Sequence, residues 1–241
     1  MVLGIEKAYC LCLDKREEHW LDLEKQCESK GIEFSRFLVG EGKLFPKDEY
    51  DRIDGRPPKD LHMKWRYGGN ITDSHEVAMI KKTHHYNAFL SHKDMARKAL
   101  NDGHNTVLFL EDDAYFTDRF DDVASTISDH VATLDYDALY LGWWIGNEGD
   151  DFNEDLERRW KEENTAGVGR TMRVGGLHGV VLRQRVLELV ANELEPTDPI
   201  DSQLNQNFHG KIQSYCVAPK IIHDKGIFSH CEQSTTKRMK L

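Results

Sequence analysis

The chain has 241 residues, enough to bury the core of one α/β domain. Asp and Glu outnumber Lys and Arg by 42 to 32, and the net charge of −10 argues against a broad electrostatic grip on nucleic acid in the absence of a local basic groove. Charged residues make up 31% of the chain and no apolar run is long enough to span a bilayer, so no transmembrane segment is expected. The first twenty residues lack a basic n-region followed by an apolar core, so the expectation is a soluble, cytoplasmic protein.

The five cysteines are an odd number at scattered spacings, with no CxxC pair of the kind used by zinc or redox sites. On a strand Cys10 and Cys12 point to one face, which favours packing over chemistry.

In chain order, "KAYCLCL" (7–13) reads as a buried strand. The segment after it carries Trp20, Leu23 and Cys27 at helical spacing, and Gly31 supplies a stop. "EFSRFLV" (33–39) completes a βαβ opening. Residues 40–75, rich in Gly and Pro, read as a long irregular excursion. Ala88, Phe89, His92, Met95, Ala96, Ala99 and Leu100 then share one face of a helix that ends at Gly103. "TVLFL" (106–110) is a strand that runs into three carboxylates, Glu111, Asp112 and Asp113. Phe116, Phe120, Val123, Ile127, Val131 and Leu134 predict a further amphipathic helix, and "DALYLG" (137–142) a further strand.

Residues 143–172 are Gly-rich and acidic and hold three of the five tryptophans, so they read as a mobile loop or lid. A strand "LHGVVL", a helix "RQRVLELVANEL", a short helix in "DPIDSQLNQNF" and a last strand "IQSYCVA" follow, Asp198 and Pro199 opening the short helix. Strands alternating with helices predict a single α/β domain over 1–241, a mainly parallel central sheet flanked by helices on both faces.

In such sheets ligands bind outside the carboxyl ends of the strands, which is where the triplet lies. Adjacent carboxylates repel unless they are solvated or neutralised, and a hard divalent cation is a natural neutraliser. Strand geometry sends Glu111 and Asp113 to one side and Asp112 to the other. The plainer alternative is a charged turn that ends a strand. An EF-hand loop, a GxxxxGK[ST] phosphate loop, a dinucleotide fingerprint, a GxSxG elbow and an HExxH zinc motif are all missing. His84 and His85 read as helix-face or core residues.

The order of these segments resembles the family-25 glycosyltransferases, which include bacterial lipooligosaccharide and procollagen galactosyltransferases. "CLDKR" (12–16) stands where the family has an N-L-x-R-R-like turn, with Asn replaced by Cys12 or shifted. "NAFLSH" (87–92) is followed about twenty residues later by "LEDD" (110–113). "GLHGVVL" (176–182) keeps Gly176 and His178 of a G-x-H-x-Y-x-x-S segment but lacks its Tyr and Ser. "PIDSQL" (199–204) matches P-x-D-x-x-L, and "APKIIHDKGIFS" (218–229) a closing Pro-then-Ser stretch.

The resemblance covers roughly residues 6–230. It implies a GT-A-type fold, a nucleotide-sugar donor, a divalent ion (manganese, or magnesium) and inverting transfer to a hydroxyl. UDP-galactose or UDP-glucose is the implied donor, and a glycan, lipid-linked or protein hydroxyl the acceptor. In that reading Glu111 and Asp113 hold the metal, Asp112 reaches the donor ribose or sugar, and Ser91, His92 and Arg16 line the donor site. Asp201 is the candidate base, and Asp198 an N-cap. His223 is preferred to His230 as the late histidine that many GT-A enzymes use as a metal ligand. Two other readings use the same residues: a metal-dependent hydrolase or phosphotransferase, and an inactive carbohydrate-binding protein of the same fold.

Overall fold

The computed structural model describes residues 2–13, 16–38, 75–145, 158, 166–171, 174–196, 199–206, 211–226, 228–229 and 234–235. The 40–75 excursion lies outside them except for His75, as do Asp198, His230 and most of 143–172.

Strand β1 (Lys7–Cys12) is buried along almost its whole length and is hydrogen-bonded on both sides, to β2 (Phe34–Leu38) and β3 (Thr106–Glu111), both parallel to it. Between β1 and β2 runs α1 (Glu17–Ser29), which buries Trp20, Leu23 and Cys27 and places Glu17 and Glu18 in its positively polarised first turn. Between β2 and β3 runs α2 (His75–Asn101). Both helices end in a Schellman motif. Ile32 N–H reaches Cys27 C=O and Gly31 N–H reaches Glu28 C=O, while His104 and Gly103 do the same to Ala99 and Leu100. The glycine in each has a left-handed φ, 66° at Gly31 and 82° at Gly103, which explains why the two stops fall there.

After β3 come the short β4 (Ala114–Phe116), α3 (Phe120–Thr133), β5 (Ala138–Tyr140), β6 (Trp144–Ile145), β7 (Gly167–Arg170), β8 (Val174–Gly175) and β9 (Val180–Arg183). Helix α4 (Gln184–Glu188) continues into a π-turn at Leu189–Glu193, and α5 (Ile200–Gln206) precedes β10 (Ser214–Ala218), β11 (Ile222–Asp224), β12 (Phe228–Ser229) and β13 (Ser234–Thr235). The central sheet has seven strands in the order β2-β1-β3-β9-β5-β10-β7. β9 is antiparallel to both of its neighbours and β7 to β10, so the other five strands run in one direction.

Alternation along the strands builds two cores. Tyr9, Val107, Phe109, Tyr140 and Cys216 face α2, α4 and α5. Ala8, Cys10, Cys12, Leu108, Leu110, Leu139 and Val217 face α1 and α3. Cys10 and Cys12 lie on one face as expected, fully buried with their sulfurs 3.4 Å apart.

Two expectations are corrected. The helix predicted from Phe116 begins at Phe120, because Phe116 belongs to β4, which pairs antiparallel with β11. Trp143, assigned to the mobile loop, is instead a core residue. It is 2% exposed, and its Nε1 donates to Val217 O at 2.9 Å. Residues 167–170, also assigned to the lid, form the edge strand β7.

Candidate functional site

The chain leaves β1 toward β2 and returns through α2 to β3 on the other side of β1, so the strand order reverses at β1. The carboxyl ends of β1 and β3 are therefore the place where this topology opens a crevice. Asp112 closes its floor. It is 5% exposed, belongs to the face of Leu108 and Leu110, and accepts from Leu13 N–H at 2.8 Å and from Arg16 Nη1 at 2.8 Å. Its own N–H donates to Leu11 O at 3.1 Å. The loop after β1 is thus tied to the end of β3 by one carboxylate, and Arg16 is held at the mouth with 13% of its side chain exposed.

Glu111 continues the other face, the one shared by Val107 and Phe109. Opposite Leu11 in register, it exposes 41% of its side chain at the end of β3. On that side α2 presents His92, whose ring lies 6.3 Å from that of Phe109 and whose Nε2 is 4.0 Å from Glu111 Oε1. His92 Nδ1 is 2.8 Å from Ala88 O. A carbonyl only accepts, so Nδ1 carries the proton. Burial pushes the His92 pKa down to about 4, against the Ala88 hydrogen bond and the charge of Asp201, which act the other way. The imidazole is therefore neutral at pH 7, with its lone pair on Nε2.

Asp201 sits in the first turn of α5. Its Oδ1 accepts from Ser202 N–H at 2.8 Å and its Oδ2 from Gly176 N–H at 3.2 Å. Each carboxylate oxygen has a second lone-pair direction. Asp201 is near enough for its charge to act on both His92 and Tyr140; burial first, and Asp201 second, push the Tyr140 hydroxyl pKa well up. Among the described residues, His92 Nε2, Ser91 Oγ and Tyr140 Oη are buried without a hydrogen-bond partner. Glu111, His92, Tyr140 and Asp201, drawn from four elements, thus share one side of the sheet's carboxyl end.

The third carboxylate, Asp113, lies in the turn into β4, and its backbone carbonyl accepts from Lys225 N–H at 2.7 Å. That bond extends the β4–β11 ribbon, in which His223 pairs with Tyr115 and their rings stack at 5.8 Å. His223 is half-buried there. Among the described residues no three His, Cys, Asp or Glu side chains form a group able to hold a metal.

Sequence reasoning missed Tyr140 and Gly142. A tyrosine within an apolar strand gives no signal beyond core. Gly142 is required by space, since a Cβ there would lie 2.6 Å from Ile222 O and 2.8 Å from the His178 ring. The antiparallel direction of β9 brings His178 and Gly179 to this edge, because β9 begins where its neighbours end. Only a glycine at 142 lets the three segments cross so closely.

No helix among the described residues is long and apolar enough to cross a membrane. No family model and no curated protein matches the chain. Two solved structures align with it over most of its length. A glycosyltransferase involved in the glycosylation of the major capsid of PBCV-1 is 11% identical with a TM-score of 0.46, over 94% of this chain and 96% of that one. A197 from STIV is 12% identical with a TM-score of 0.33, over 87% of this chain and 81% of that one.

Proposed function

We propose that the protein is an inverting glycosyltransferase that moves a hexose from a nucleotide sugar, UDP-galactose or UDP-glucose, to an acceptor hydroxyl. The observation that carries this reading is the division of labour among the carboxylates at the sheet's carboxyl end. Asp112 is consumed by the β1 loop and Glu111 faces outward beside a neutral histidine. Asp201 stands on a separate element of the same side.

The donor's diphosphate is anionic and the chain carries net charge −10, so the two repel unless a cation lies between them. Glu111 and Asp113 supply the hard oxygen ligands that Mn2+ or Mg2+ takes, and such ions are commonly held by one or two carboxylates together with substrate phosphates. In this reading the two carboxylates and the donor's phosphates would share the ion, with no third protein ligand. When bound, the ion stabilises charge on the departing nucleoside diphosphate. Arg16, fixed by Asp112, adds a positive charge at the mouth of the same crevice.

Asp201 is the proposed base. The acceptor oxygen bonds to the anomeric carbon as the bond from that carbon to the phosphate oxygen breaks, and the hydroxyl proton passes to Asp201. A glycan, a lipid-linked glycan or a protein hydroxyl would serve as acceptor. A panel of nucleotide sugars assayed by nucleoside diphosphate release, with Asp201→Asn beside the wild type, tests the reading. Release from a UDP-hexose that rises with acceptor, and falls about 10²-fold in the variant, supports it. Full activity in the variant removes Asp201 from the role.

A further inference from the structure

Tyr140 is the last residue of β5 and is 0% exposed, yet its hydroxyl is one of the buried polar atoms that have no hydrogen-bond partner among the described residues. Phe would fill nearly the same space and leave no buried oxygen to satisfy, so packing alone gives no reason for the phenol. The place of Tyr140 in the sheet shows what it lies beside. Tyr140 and Phe109 are both register partners of Val180, so the three project in one row from the face that α2, α4 and α5 cover. His92 lies over the Phe109 end of that row, their ring centroids 6.3 Å apart, and its Nε2 is also buried without a hydrogen-bond partner. Glu111 is on the same face two residues nearer the sheet's edge, with 41% of its side chain exposed. Asp201 is close enough to act on both Tyr140 and His92 and is itself only half-buried. Glu111 and Asp201 thus form a rim open to solvent, with Tyr140 and His92 beneath it.

The buried pair has the chemistry of a neutral polar ligand. Burial keeps the phenol protonated, so Tyr140 has a hydrogen to donate, and the neutral His92 has a lone pair on Nε2. The charge of Asp201 beside them disfavours an anion. A hydroxyl group answers both, since it accepts from one and donates to the other. Asp201, as the proposed base, takes a hydroxyl of its own. A ligand that meets Asp201 and Tyr140 together therefore carries at least two hydroxyls on one small frame, whereas a serine or threonine side chain carries one. We infer that Tyr140 Oη donates to a second hydroxyl of the acceptor, next to the one that Asp201 deprotonates, so that the acceptor is a sugar, free or lipid-linked, and not a protein side chain. This rests on the transferase reading above and chooses among the acceptors that reading leaves open. Tyr140 selects the acceptor, while the donor's diphosphate is left to the carboxylates of the metal reading and to Arg16.

The test is an NMR titration of the methyl gluco-, galacto- and mannopyranosides, both anomers, into the wild type and Tyr140→Phe, with and without UDP and Mn2+, followed by the monodeoxy analogues of the glycoside that binds. The wild type should bind at least one glycoside, and Tyr140→Phe should bind it about tenfold more weakly while keeping its UDP affinity and melting no lower. One monodeoxy analogue should bind the two proteins equally weakly, which pairs the phenol with that hydroxyl. A glycoside that binds both proteins alike overturns the inference, and a variant that then also melts lower marks the phenol as part of a water-bridged core. A loss of UDP-hexose affinity in Tyr140→Phe with glycoside binding intact assigns the phenol to the donor and overturns it too. A wild type that binds no glycoside overturns it, and hexose transfer to a Ser/Thr peptide would then leave the transferase reading standing. Glycoside binding that depends on Tyr140 in a protein that turns over no nucleotide sugar supports the sugar site and overturns the transferase reading alone.

Discussion

Replacing Asp112 by Asn separates a residue that builds the crevice from one that contacts the donor. The carboxylate accepts from two donors on different oxygens, Leu13 N–H and the Arg16 guanidinium, both at 2.8 Å, while 5% exposed. An amide keeps one acceptor and turns an NH2 group toward one of these donors, so one buried hydrogen bond becomes a donor facing a donor. Leaving a buried N–H unsatisfied costs about 1–3 kcal/mol, and a hydrogen bond to a charged group contributes about 1.5–3 kcal/mol. The two effects overlap, and a total of about 3 kcal/mol is expected. For a chain of this size that lowers Tm by about 6–12 °C. Urea denaturation of Asp112→Asn, Arg16→Met and the double variant measures it, with a coupling of about 1 kcal/mol or more between the two sites. If Asp112→Asn stays within about 0.5 kcal/mol of the wild type yet loses UDP binding, the carboxylate belongs to the ligand and the structural argument fails.

Gly142→Ala should destabilise by about 2 kcal/mol or more, since a Cβ would sit 2.6 Å from a backbone oxygen, and denaturant midpoints check this. Cys10, Cys12, Cys27 and Cys216 are buried, and burial pushes the Cys27 thiol up to about 12, so of the five thiols at most Cys231 should react with a disulfide reagent at pH 8 until denaturant is added. His92 titrates near 6.5 in the unfolded chain and near 4 in the fold, so the unfolded state binds more protons between these values. Stability of the metal-free protein should therefore be full above pH 6.5 and fall toward pH 4 by up to about 3 kcal/mol, and His92→Gln should flatten that slope.

The elements that show themselves in the sequence are those whose signal is local. Trp20, Leu23 and Cys27 mark α1, Gly31 and Gly103 mark two helix ends by their positive φ, and the run before Glu111 marks β3. The separation of Glu111 from Asp112 follows from strand alternation alone. Hydropathy does not encode strand direction, so β9 is invisible as an antiparallel member, and with it the delivery of His178 to the crevice edge. The partner of Asp112 is also hidden. A carboxylate beside two others reads as a ligand group, and only the fold shows that Leu13 N–H and Arg16 take it. Trp143 misleads for a related reason. A Gly-rich acidic segment reads as exposed, while the indole that begins it is buried by β10, a strand some 70 residues further along.

Calorimetric titration of UDP into the wild type and Asp113→Ala, with and without Mn2+, tests the central claim most directly. The account predicts Mn2+-dependent binding to the wild type, its loss in Asp113→Ala and an unchanged melting temperature. UDP binding that ignores both Mn2+ and the substitution would contradict it.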